Sequence, residues 1–408
     1  MRVLVIAVGT RGDVQPAFAL ALAVKARGHG VRVCIPPNFV EWAGQHGLDA
    51  VPMGVEMRAP APRSSGAPAL TPEQLRKLRE SMPDLITDQF DTIGRAADGC
   101  DVIVGANAHQ YAGPSIAERR GMACVTAVYA PVAIPSTDLA PPPAPGQAPV
   151  TDGTSSIEER WKQTAAAWNA RALERVNANR ARLGLAPIAD VLDYALTNRT
   201  WLAADPALAP LPTTPGRTVT ATGAWVLPDP TPLPPDLEAF LAGGEPPAFV
   251  GFGSMPAPLD VSAPVIAAVR SLGRRVLVSR GWAGLDRVDD GTDCMVVGDV
   301  SHDVLFPRVA CVVHHGGAGT TATVARAGVP QVITPMFSDQ FYWAGRVTAL
   351  GIGTTTPHAG LTEESLSVAL RAATEKGVTA RAAALAPSVR RDGADVAAGL
   401  LEQLLAAQ

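Results

Sequence analysis

The sequence lacks any long run of lysine or arginine, and its formal net charge is −4. Proteins that bind nucleic acids or anionic membranes usually present a basic patch, so the charge argues against both kinds of partner. No apolar stretch approaches the length of a membrane span, and the first one, 3–8, is too short for a signal peptide. We therefore expect a cytoplasmic protein without stable membrane insertion that acts on small molecules.

Cysteine is scarce, and its positions form no recognisable disulfide or metal-binding pattern. The five residues are odd in number, lie mostly within or beside apolar runs and include no C-x-x-C pair. They are Cys34, Cys100, Cys124, Cys294 and Cys311. We expect them to be reduced core residues of a cytosolic protein.

The length of 408 residues, with 47% hydrophobic residues, exceeds that of one ordinary domain. Short apolar runs alternate with amphipathic stretches in both halves, which predicts parallel α/β sheets with helical crossovers. Predicted strands cover 2–8, 31–35, 102–106 and 123–129 in the first half, and 248–253, 275–279, 294–297, 311–315 and 331–335 in the second. Predicted helices include 16–27, 40–46, 114–120, 157–183 and 392–406, and long loops are expected at 59–68 and 135–153.

These patterns predict two Rossmann-like, doubly wound α/β domains that face each other across a cleft. The first domain is expected over 1–215 and the second over 236–390, with a proline-rich linker at 216–235. Residues 391–408 are expected to form a helix that packs back on the first domain. Ligands of such folds bind beyond the carboxyl ends of the strands.

The segment 314–321 (HHGGAGTT) ends a predicted buried strand with a glycine-rich turn and opens a helix. Backbone N–H groups and the positive end of a helix dipole then face one point, an arrangement that holds an anion. No lysine follows the glycines, as a Walker loop would require. The motif favours a pyrophosphate ester that is bound rather than hydrolysed.

The loop after the first strand, 9–13 (GTRGD), occupies the place of a dinucleotide-binding motif but has the wrong glycine spacing. The second strand also runs into proline and asparagine, where a dinucleotide fold needs an acidic residue. A nicotinamide cofactor is therefore disfavoured. Asp13 is either an N-cap of the following helix or a functional carboxylate at the edge of the sheet.

Five motifs, in order and at whole-chain spacing, resemble those of family 1 inverting glycosyltransferases with the GT-B fold. They are GTRGDVQP at 9–16, GFGS at 251–254, SRGW at 279–282, HHGGAGTT at 314–321, and DQ at 339–340 followed by AGRV at 344–347. The stretches 201–206 and 222–229 are similar to actinobacterial enzymes that glycosylate glycopeptide antibiotic aglycones, of the vancomycin type. The resemblance implies a hexosyltransferase.

The resemblance implies that Asp13 is the general base. Many macrolide-modifying relatives instead place a histidine there, supported by a carboxylate from a later strand, whereas 105–107 of this chain offers no acid. A single-carboxylate mechanism follows. We expect Asp13 to be exposed with an ordinary pKa of about 3.9, so that proton transfer must be concerted with cleavage of the donor's glycosidic bond.

The remaining family motifs imply the residues that bind the donor, a UDP- or dTDP-sugar, without a metal or other cofactor. These residues are Thr10, Ser254, Trp282, Val297, His315, Gly317, Ala318, Gly319, Thr320, Asp339 and Gln340. Four of them have alternative interpretations, namely Ser254 as a helix cap, Trp282 as a core residue, His315 as a zinc ligand and Asp339 as an N-cap. His314 is interpreted as structural.

The acceptor is expected in the first domain above Asp13, beside loops that include Pro-Pro-Pro at 141–143. No acceptor-binding side chain is predicted. A glycopeptide-like phenol is favoured, with a sterol, polyketide or other antibiotic-type acceptor as the alternative. Two further classes stay open, a nucleotide-sugar epimerase or hydrolase and a non-catalytic nucleotide-sugar binder. A monomer is expected.

Overall fold

The computed structural model describes residues 1–57, 84–107, 109–143, 155–255 and 261–407. The loop predicted at 59–68 lies outside these residues, as do residues 144–153 of the loop predicted at 135–153. The predicted class, two doubly wound α/β domains, is confirmed by two parallel sheets.

The first sheet has seven parallel strands in the order β3-β2-β1-β4-β5-β6-β7. Its strands are β1 (Arg2–Ala7), β2 (Gly30–Ile35), β3 (Asp49–Pro52), β4 (Val102–Ala106), β5 (Ala123–Val128), β6 (Thr200–Leu202) and β7 (Val219–Ala221). Side chains of β1 alternate between two apolar clusters, with Val3 and Val5 on one face and Leu4 and Ile6 on the other. Both faces of this sheet are therefore buried, and we call it with its helices the first lobe.

The second sheet has six parallel strands in the order β10-β9-β8-β11-β12-β13, which repeats the winding of the first. Its strands are β8 (Ala248–Gly251), β9 (Val276–Ser279), β10 (Cys294–Val297), β11 (Cys311–His314), β12 (Gln331–Ile333) and β13 (Gly353–Thr355). Two apolar clusters again cover its faces. We call this sheet with its helices the second lobe.

The helices follow the strands in the alternation that the sequence predicts. In the first lobe they are α1 (Arg11–Ala26), α2 (Val40–Gln45), α3 (Leu85–Ala96), α4 (Gly113–Arg120), α5 (Ile157–Arg182) and α6 (Val191–Leu196). The second lobe has α7 (Pro235–Ala242), α8 (Ser262–Arg270), α9 (His302–Leu305), α10 (Ala318–Ala327), α11 (Gln340–Ala349), α12 (Glu363–Ala373) and α13 (Lys376–Leu385). The terminal helix is α14 (Gly393–Ala406).

The structure differs from the predicted elements where short strands carry little apolar signal. β3, β6, β7 and β13 were not predicted, and none of them contains more than two apolar residues. β7 lies inside the segment predicted as linker, 216–235, and pairs with β6. The chain therefore stays in the first lobe beyond residue 215.

Helix α1 begins at Arg11, five residues before the predicted start at Pro16. The sequence T-x-x-D at 10–13 explains the early start, because the Asp13 carboxylate accepts a hydrogen bond from the Thr10 N–H and so stabilises the first turn. Asp13 is thus the third residue of α1 and not its N-cap.

The terminal helix α14 packs against α1 of the first lobe. Its apolar residues Ala397 and Leu401 lie in the same cluster as Phe18 of α1. Glu402 accepts hydrogen bonds from Arg27 at 2.9 Å and from the His29 ring at 2.8 Å. The chain therefore returns to the first lobe after it has completed the second.

The two lobes contact each other directly. One apolar cluster combines residues of the first lobe, such as Leu208, with Trp343 and Val347 of α11. The Arg346 side chain donates to the carbonyl of Leu208 at 2.7 Å. On the cleft side Arg11 forms an ion pair of 3.0 Å with Asp299, although both side chains are largely exposed.

Two further observations concern the cysteines and the apolar character of the helices. All five cysteines are free thiols. Among the described residues, no helix combines the length and the apolar character that crossing a bilayer requires.

The contact between α14 and the segment after β7 predicts the effect of a substitution at Gly393. A Cβ at Gly393 would overlap the backbone of Gly223 and Ala224, so Gly393→Ala should lower the free energy of unfolding by about 1–3 kcal/mol. Gly399→Ala is the matched control on the same helix, because its Cβ meets only the side chain of Arg27 at 3.5 Å. Urea denaturation should show the control unchanged or slightly stabilised. Equal stability of Gly393→Ala and the wild type would contradict this packing.

Candidate functional site

The site is defined by the two points at which strand order reverses. In the first sheet these are the ends of the neighbouring strands β1 and β4, and in the second sheet the ends of β8 and β11. Crossovers leave in opposite directions at such a point and open a crevice at the carboxyl edge of the sheet. All four loops carry polar residues.

Asp13 follows β1 and lies in the first turn of α1. One carboxylate oxygen, Oδ2, accepts hydrogen bonds from the Thr10 N–H at 2.8 Å and from the Thr10 hydroxyl at 3.4 Å. Gly9 has φ +132°, and a Cβ there would overlap the Asp13 carboxylate. Only glycine therefore leaves room for Asp13 at this turn.

The second oxygen of Asp13 has a partner that the sequence did not predict. Asn107, directly after β4, donates from Nδ2 to Asp13 Oδ1 at 3.0 Å. Tyr129, directly after β5, donates its hydroxyl to the Asp13 backbone carbonyl at 3.1 Å. The region 105–107 thus offers no acid, as expected, but it offers an amide that contacts Asp13.

The expectation of an exposed Asp13 with an ordinary pKa is wrong. The side chain is half-buried, and burial raises the pKa of its carboxyl, while the hydrogen bonds from Thr10 and Asn107 lower it. Removing a carboxylate from water disfavours its charged form, whereas donors to that form favour it. The net rise makes Asp13 a stronger base than a solvated aspartate.

Helix α10 of the second lobe begins directly after the glycine turn that follows β11. Gly317 is its N-cap, and no side chain caps it. The first amides of a helix have no partner within it, so those of Ala318, Gly319 and Thr320 are available to a ligand. The dipole adds partial positive charge at the same point. This end of α10 suits a phosphate or pyrophosphate group.

The two histidines before α10 differ in their surroundings. His314 is fully buried, its Nε2 pairs with Gln331 at 2.8 Å, and its Nδ1 accepts from the Gly316 N–H at 3.1 Å. The structural interpretation of His314 agrees with these contacts. The His315 ring lies between Gly253 and Gly317, since a Cβ at either glycine would approach it within 3.3 or 2.6 Å.

The surroundings of His315 favour its neutral form, which can form hydrogen bonds but carries no charge. Burial and, to a lesser degree, the nearby His358 together lower its pKa to about 4. Its buried Nδ1 has no hydrogen-bond partner among the described residues. Within that same part of the chain, no three His, Cys, Asp or Glu side chains lie together as a metal site would require.

The loops after β8 and β9 contact each other beside His315. The Trp282 N–H donates to the Gly253 carbonyl at 2.9 Å, which brings Trp282 near Ser254. Both side chains are half-buried, so Trp282 is not a fully buried core residue. Ser254 does not cap α8, whose N-cap is Val261. Val297, at the end of β10, is buried, and its carbonyl accepts from the Arg280 N–H at 3.2 Å.

Asp339 and Gln340 lie at the start of α11. Asp339 occupies the N-cap position, but its carboxylate accepts from Trp343 Nε1 at 2.9 Å and makes no cap hydrogen bond. Gln340 Oε1 accepts from the N–H of Met336 at 2.8 Å, and its Nε2 donates to Met255 Sδ at 3.4 Å. Gln340 therefore connects this turn to the loop that carries Ser254.

The two lobes bring Asp13 and Asp339 into electrostatic contact. The pKa of Asp339 is raised to about 6, mainly by burial and in part by the charge of Asp13, against the lowering effect of the hydrogen bond from Trp343. Like charges interact in this way only when they lie close together. The cleft therefore has two carboxyl groups, one from each lobe, and an uncapped helix N-terminus.

Sequence reasoning missed three residues of this arrangement, Asn107, Tyr129 and Trp343. Asn107 follows the predicted strand 102–106 and Tyr129 ends the predicted strand 123–129, but both act through contacts with Asp13, which is distant in sequence. Asn107 alone gave a signal, because it follows a buried strand at the edge where ligands of this fold class bind.

Two family models match the two lobes. Residues 3–136 match the N-terminal domain of glycosyltransferase family 28. Residues 281–394 match the C-terminal domain of proteins like erythromycin biosynthesis protein CIII. The first match covers strands β1 to β5 of the first sheet, and the second covers strands β10 to β13 of the second sheet.

Whole-chain relatives are similar over almost the full length. A vancomycin aglycone glucosyltransferase of Amycolatopsis orientalis is 44% identical over 98% of this chain and 97% of its own. A dTDP-epi-vancosaminyltransferase of the same organism is 39% identical over 94% and 92%. Among solved structures, spinosyn forosaminyltransferase superposes with a TM-score of 0.72, covering 100% of this chain and 99% of that one at 20% identity. That last likeness shows the fold alone.

The contact between the two carboxyl groups predicts a change in the titration of Asp339. Asp13→Asn removes a like charge, so the Asp339 carboxylate becomes easier to form and its pKa should fall below about 6. It should remain above the ordinary value of about 3.9, because burial persists. NMR titration of protein labelled with carbon-13 aspartate measures this directly. Asp49→Asn, at an exposed position of the first lobe, should leave it unchanged, and an unaltered Asp339 in Asp13→Asn would contradict the described approach of the lobes.

Proposed function

Because the chain belongs to the glycosyltransferase family of these vancomycin-type relatives and has the GT-B fold, we propose an inverting sugar transfer with Asp13 as the general base. The donor is a UDP- or dTDP-sugar, and the acceptor is a hydroxyl group of a natural-product aglycone. One observation carries this proposal: a half-buried carboxylate of raised pKa lies across the cleft from an uncapped helix N-terminus.

The proposed reaction is a direct displacement at the anomeric carbon of the sugar. The acceptor oxygen forms a bond to that carbon while the bond from the carbon to the β-phosphate oxygen breaks. The acceptor proton moves to the Asp13 carboxylate, and the electron pair of the broken bond leaves with the nucleotide diphosphate. Attack from the face opposite the leaving group inverts the anomeric configuration.

The raised pKa of Asp13 supports its role as base, but the pKa of the acceptor hydroxyl is higher. A phenol has a pKa of about 10, so complete removal of its proton before attack would be slow. Transfer of the proton together with bond breaking avoids that barrier. Positioning and stabilisation of the leaving group then supply much of the rate.

Leaving-group stabilisation is assigned to the start of α10. The amides of Ala318, Gly319 and Thr320, the Thr320 hydroxyl and His315 would contact the pyrophosphate. Preorganised donors of this kind favour the charge that develops on the departing group. We propose that they make a metal ion unnecessary for the reaction.

The other predicted donor contacts surround this point. Asp339 and Gln340 would bind sugar hydroxyls, although Gln340 must then exchange or share its present contacts with Met336 and Met255. Trp282 would stack on the base of the nucleotide, with Val297 at the base edge and Ser254 and Thr10 near the phosphates. These assignments follow from the family motifs and from the convergence of the loops at one cleft.

The acceptor is proposed to be a glycopeptide-like phenol. The name of the vancomycin aglycone glucosyltransferase, which this chain matches along nearly its whole length, supports that class. A sterol or polyketide acceptor is the alternative. A nucleotide-sugar epimerase or hydrolase would instead require additional acids and bases near the anomeric carbon.

Asp13→Asn should reduce transfer by about 10²–10⁴-fold, because an amide cannot accept the acceptor proton. The measurement is product formation from UDP-glucose or dTDP-glucose with glycopeptide, polycyclic and sterol acceptors, with and without chelator. Binding of the nucleotide diphosphate should survive, and NMR of the product should show an inverted anomeric centre.

Asp190→Asn is the matched control, because Asp190 caps α6 in the same lobe by accepting from the Asp193 N–H. It should retain full transfer. Substantial transfer by Asp13→Asn would refute the role of the base, release of free sugar without acceptor product would indicate a hydrolase, and binding without either product would indicate a non-catalytic binder. Loss of transfer with chelator would refute metal independence.

Thr320→Ala tests the proposed leaving-group site. Loss of a hydroxyl donor to the pyrophosphate should lower kcat by about 10²-fold. Thr323→Ala is the control one turn later on α10, where the hydroxyl donates to the Gly319 carbonyl. Steady-state kinetics with saturating acceptor should separate the two variants, and equal kcat values would exclude Thr320 from the transition-state contacts.

A further inference from the structure

We infer that Asn107 is a positioning residue that acts through Asp13, because the hydrogen bond from its amide stabilises the ionised form of the Asp13 carboxylate. This inference rests on the proposed role of Asp13 as the base. It extends that proposal to Asn107, about which the sequence analysis noted only that the segment 105–107 contains no acid.

The position of Asn107 follows from the sheet topology. β1 and β4 are adjacent, and their residues pair in register up to Ala7 and Ala106. Asn107 is therefore the first residue beyond the sheet on the strand next to the one that leads to Asp13. A side chain here can reach the Asp13 carboxylate directly, as the hydrogen bond of 3.0 Å shows.

Every polar atom of the Asn107 side chain is engaged. Nδ2 donates to the Val8 carbonyl at 2.7 Å and to Asp13 Oδ1 at 3.0 Å, while Oδ1 accepts from the His109 N–H at 3.0 Å. The side chain is 8% exposed. These contacts fix the amide orientation, because the oxygen faces an N–H group and the nitrogen faces two acceptors.

The backbone of Asn107 is in a conformation that most residues avoid. Its φ is +97°, one of three positive values among the non-glycine residues described. Such a conformation costs of the order of 1–3 kcal/mol unless surrounding contacts hold it. The three side-chain hydrogen bonds supply that restraint and place the amide against Asp13.

The electrostatic role follows from which form of Asp13 the amide can bind. An N–H donor favours the carboxylate over the protonated acid, so it opposes the effect of burial on the pKa. The titratable groups that face Asp13 from other elements are Tyr129, after β5, and Asp339, at the start of α11. Neither supplies positive charge, so the neutral donors of Thr10 and Asn107 are the groups that favour the ionised form of Asp13.

Asn107 also connects the base to the surface of the first lobe. The His109 N–H donates to Asn107, and the His109 ring stacks on Trp168 of α5 with centroids 5.3 Å apart. The loop after β4 is therefore tied to α5 on one side and to Asp13 on the other. An acceptor that contacts this loop would therefore affect Asp13 through one side chain, that of Asn107.

The test is Asn107→Gly, which removes the amide while glycine accepts φ +97° without strain. The protonated form of Asp13 should become more favourable, so the acid limb of the pH profile of kcat/KM should move to higher pH by roughly one unit. Activity on the alkaline side should stay within a few-fold of the wild type, because Asp13 is ionised there. Thermal unfolding should confirm that the variant is folded.

Thr197→Gly is the matched control. Thr197 is another non-glycine residue with positive φ, +58°, at the end of α6, and its replacement should leave the acid limb unchanged. A second variant, Asn107→Asp, places a like charge beside Asp13 and should move the acid limb in the same direction as Asn107→Gly, since the pair then titrates together.

The outcomes separate this inference from the proposed function. An acid limb that stays in place in folded Asn107→Gly, or a uniform loss of activity at every pH, would overturn the role of Asn107. Transfer that persists in Asp13→Asn would instead overturn the role of Asp13. Loss of transfer in Asp13→Asn together with the shifted limb in Asn107→Gly would support both.

Discussion

The hydrogen bonds to the Asp13 carboxylate are the interaction on which the site depends. A charged group that leaves bulk water is costly unless its oxygens find donors, and here one oxygen is bound by Thr10 and the other by Asn107. Those donors come from the two strands at the reversal point of the first sheet. The winding of the sheet, the glycine at position 9 and the early start of α1 are all required to bring them together.

The second lobe repeats the same architecture but presents a different chemical group at its reversal point. Its reversal point presents unpaired amides of α10 where the first lobe presents a carboxylate. The two edges face the same cleft with different groups, a hydrogen-bonded carboxylate on one side and uncapped helix amides on the other. Asp339 adds a second carboxyl, whose pKa is raised mainly by burial and in part by the charge of Asp13.

Sequence reasoning recovered the features that depend on local patterns. The buried strands at 102–106 and 294–297 agree with the observed strands, because continuous apolar runs bounded by polar residues define them. The glycine turn before α10 was also predicted, since glycine and the following helix leave few alternatives. β7 was missed because its three residues form no continuous apolar run and lie in a proline-rich stretch.

The environment of Asp13 could not be predicted in the same way. Its burial depends on Asn107, Tyr129 and the second lobe, which are distant in sequence, so the expectation of an exposed carboxylate with an ordinary pKa failed. The T-x-x-D pattern at 10–13 was nevertheless a local signal for the early start of helix α1. The identity of the Asp13 Oδ1 partner required the pairing of β1 with β4 in three dimensions.

The return of α14 to the first lobe has a consequence for synthesis of the protein. Phe18 and its neighbours on α1 are covered by Ala397 and Leu401, which the ribosome makes only after the whole of the second lobe. During translation the nascent first lobe must therefore wait with an uncovered apolar face. The contacts between this face and α14 can form only after the terminal helix has left the exit tunnel.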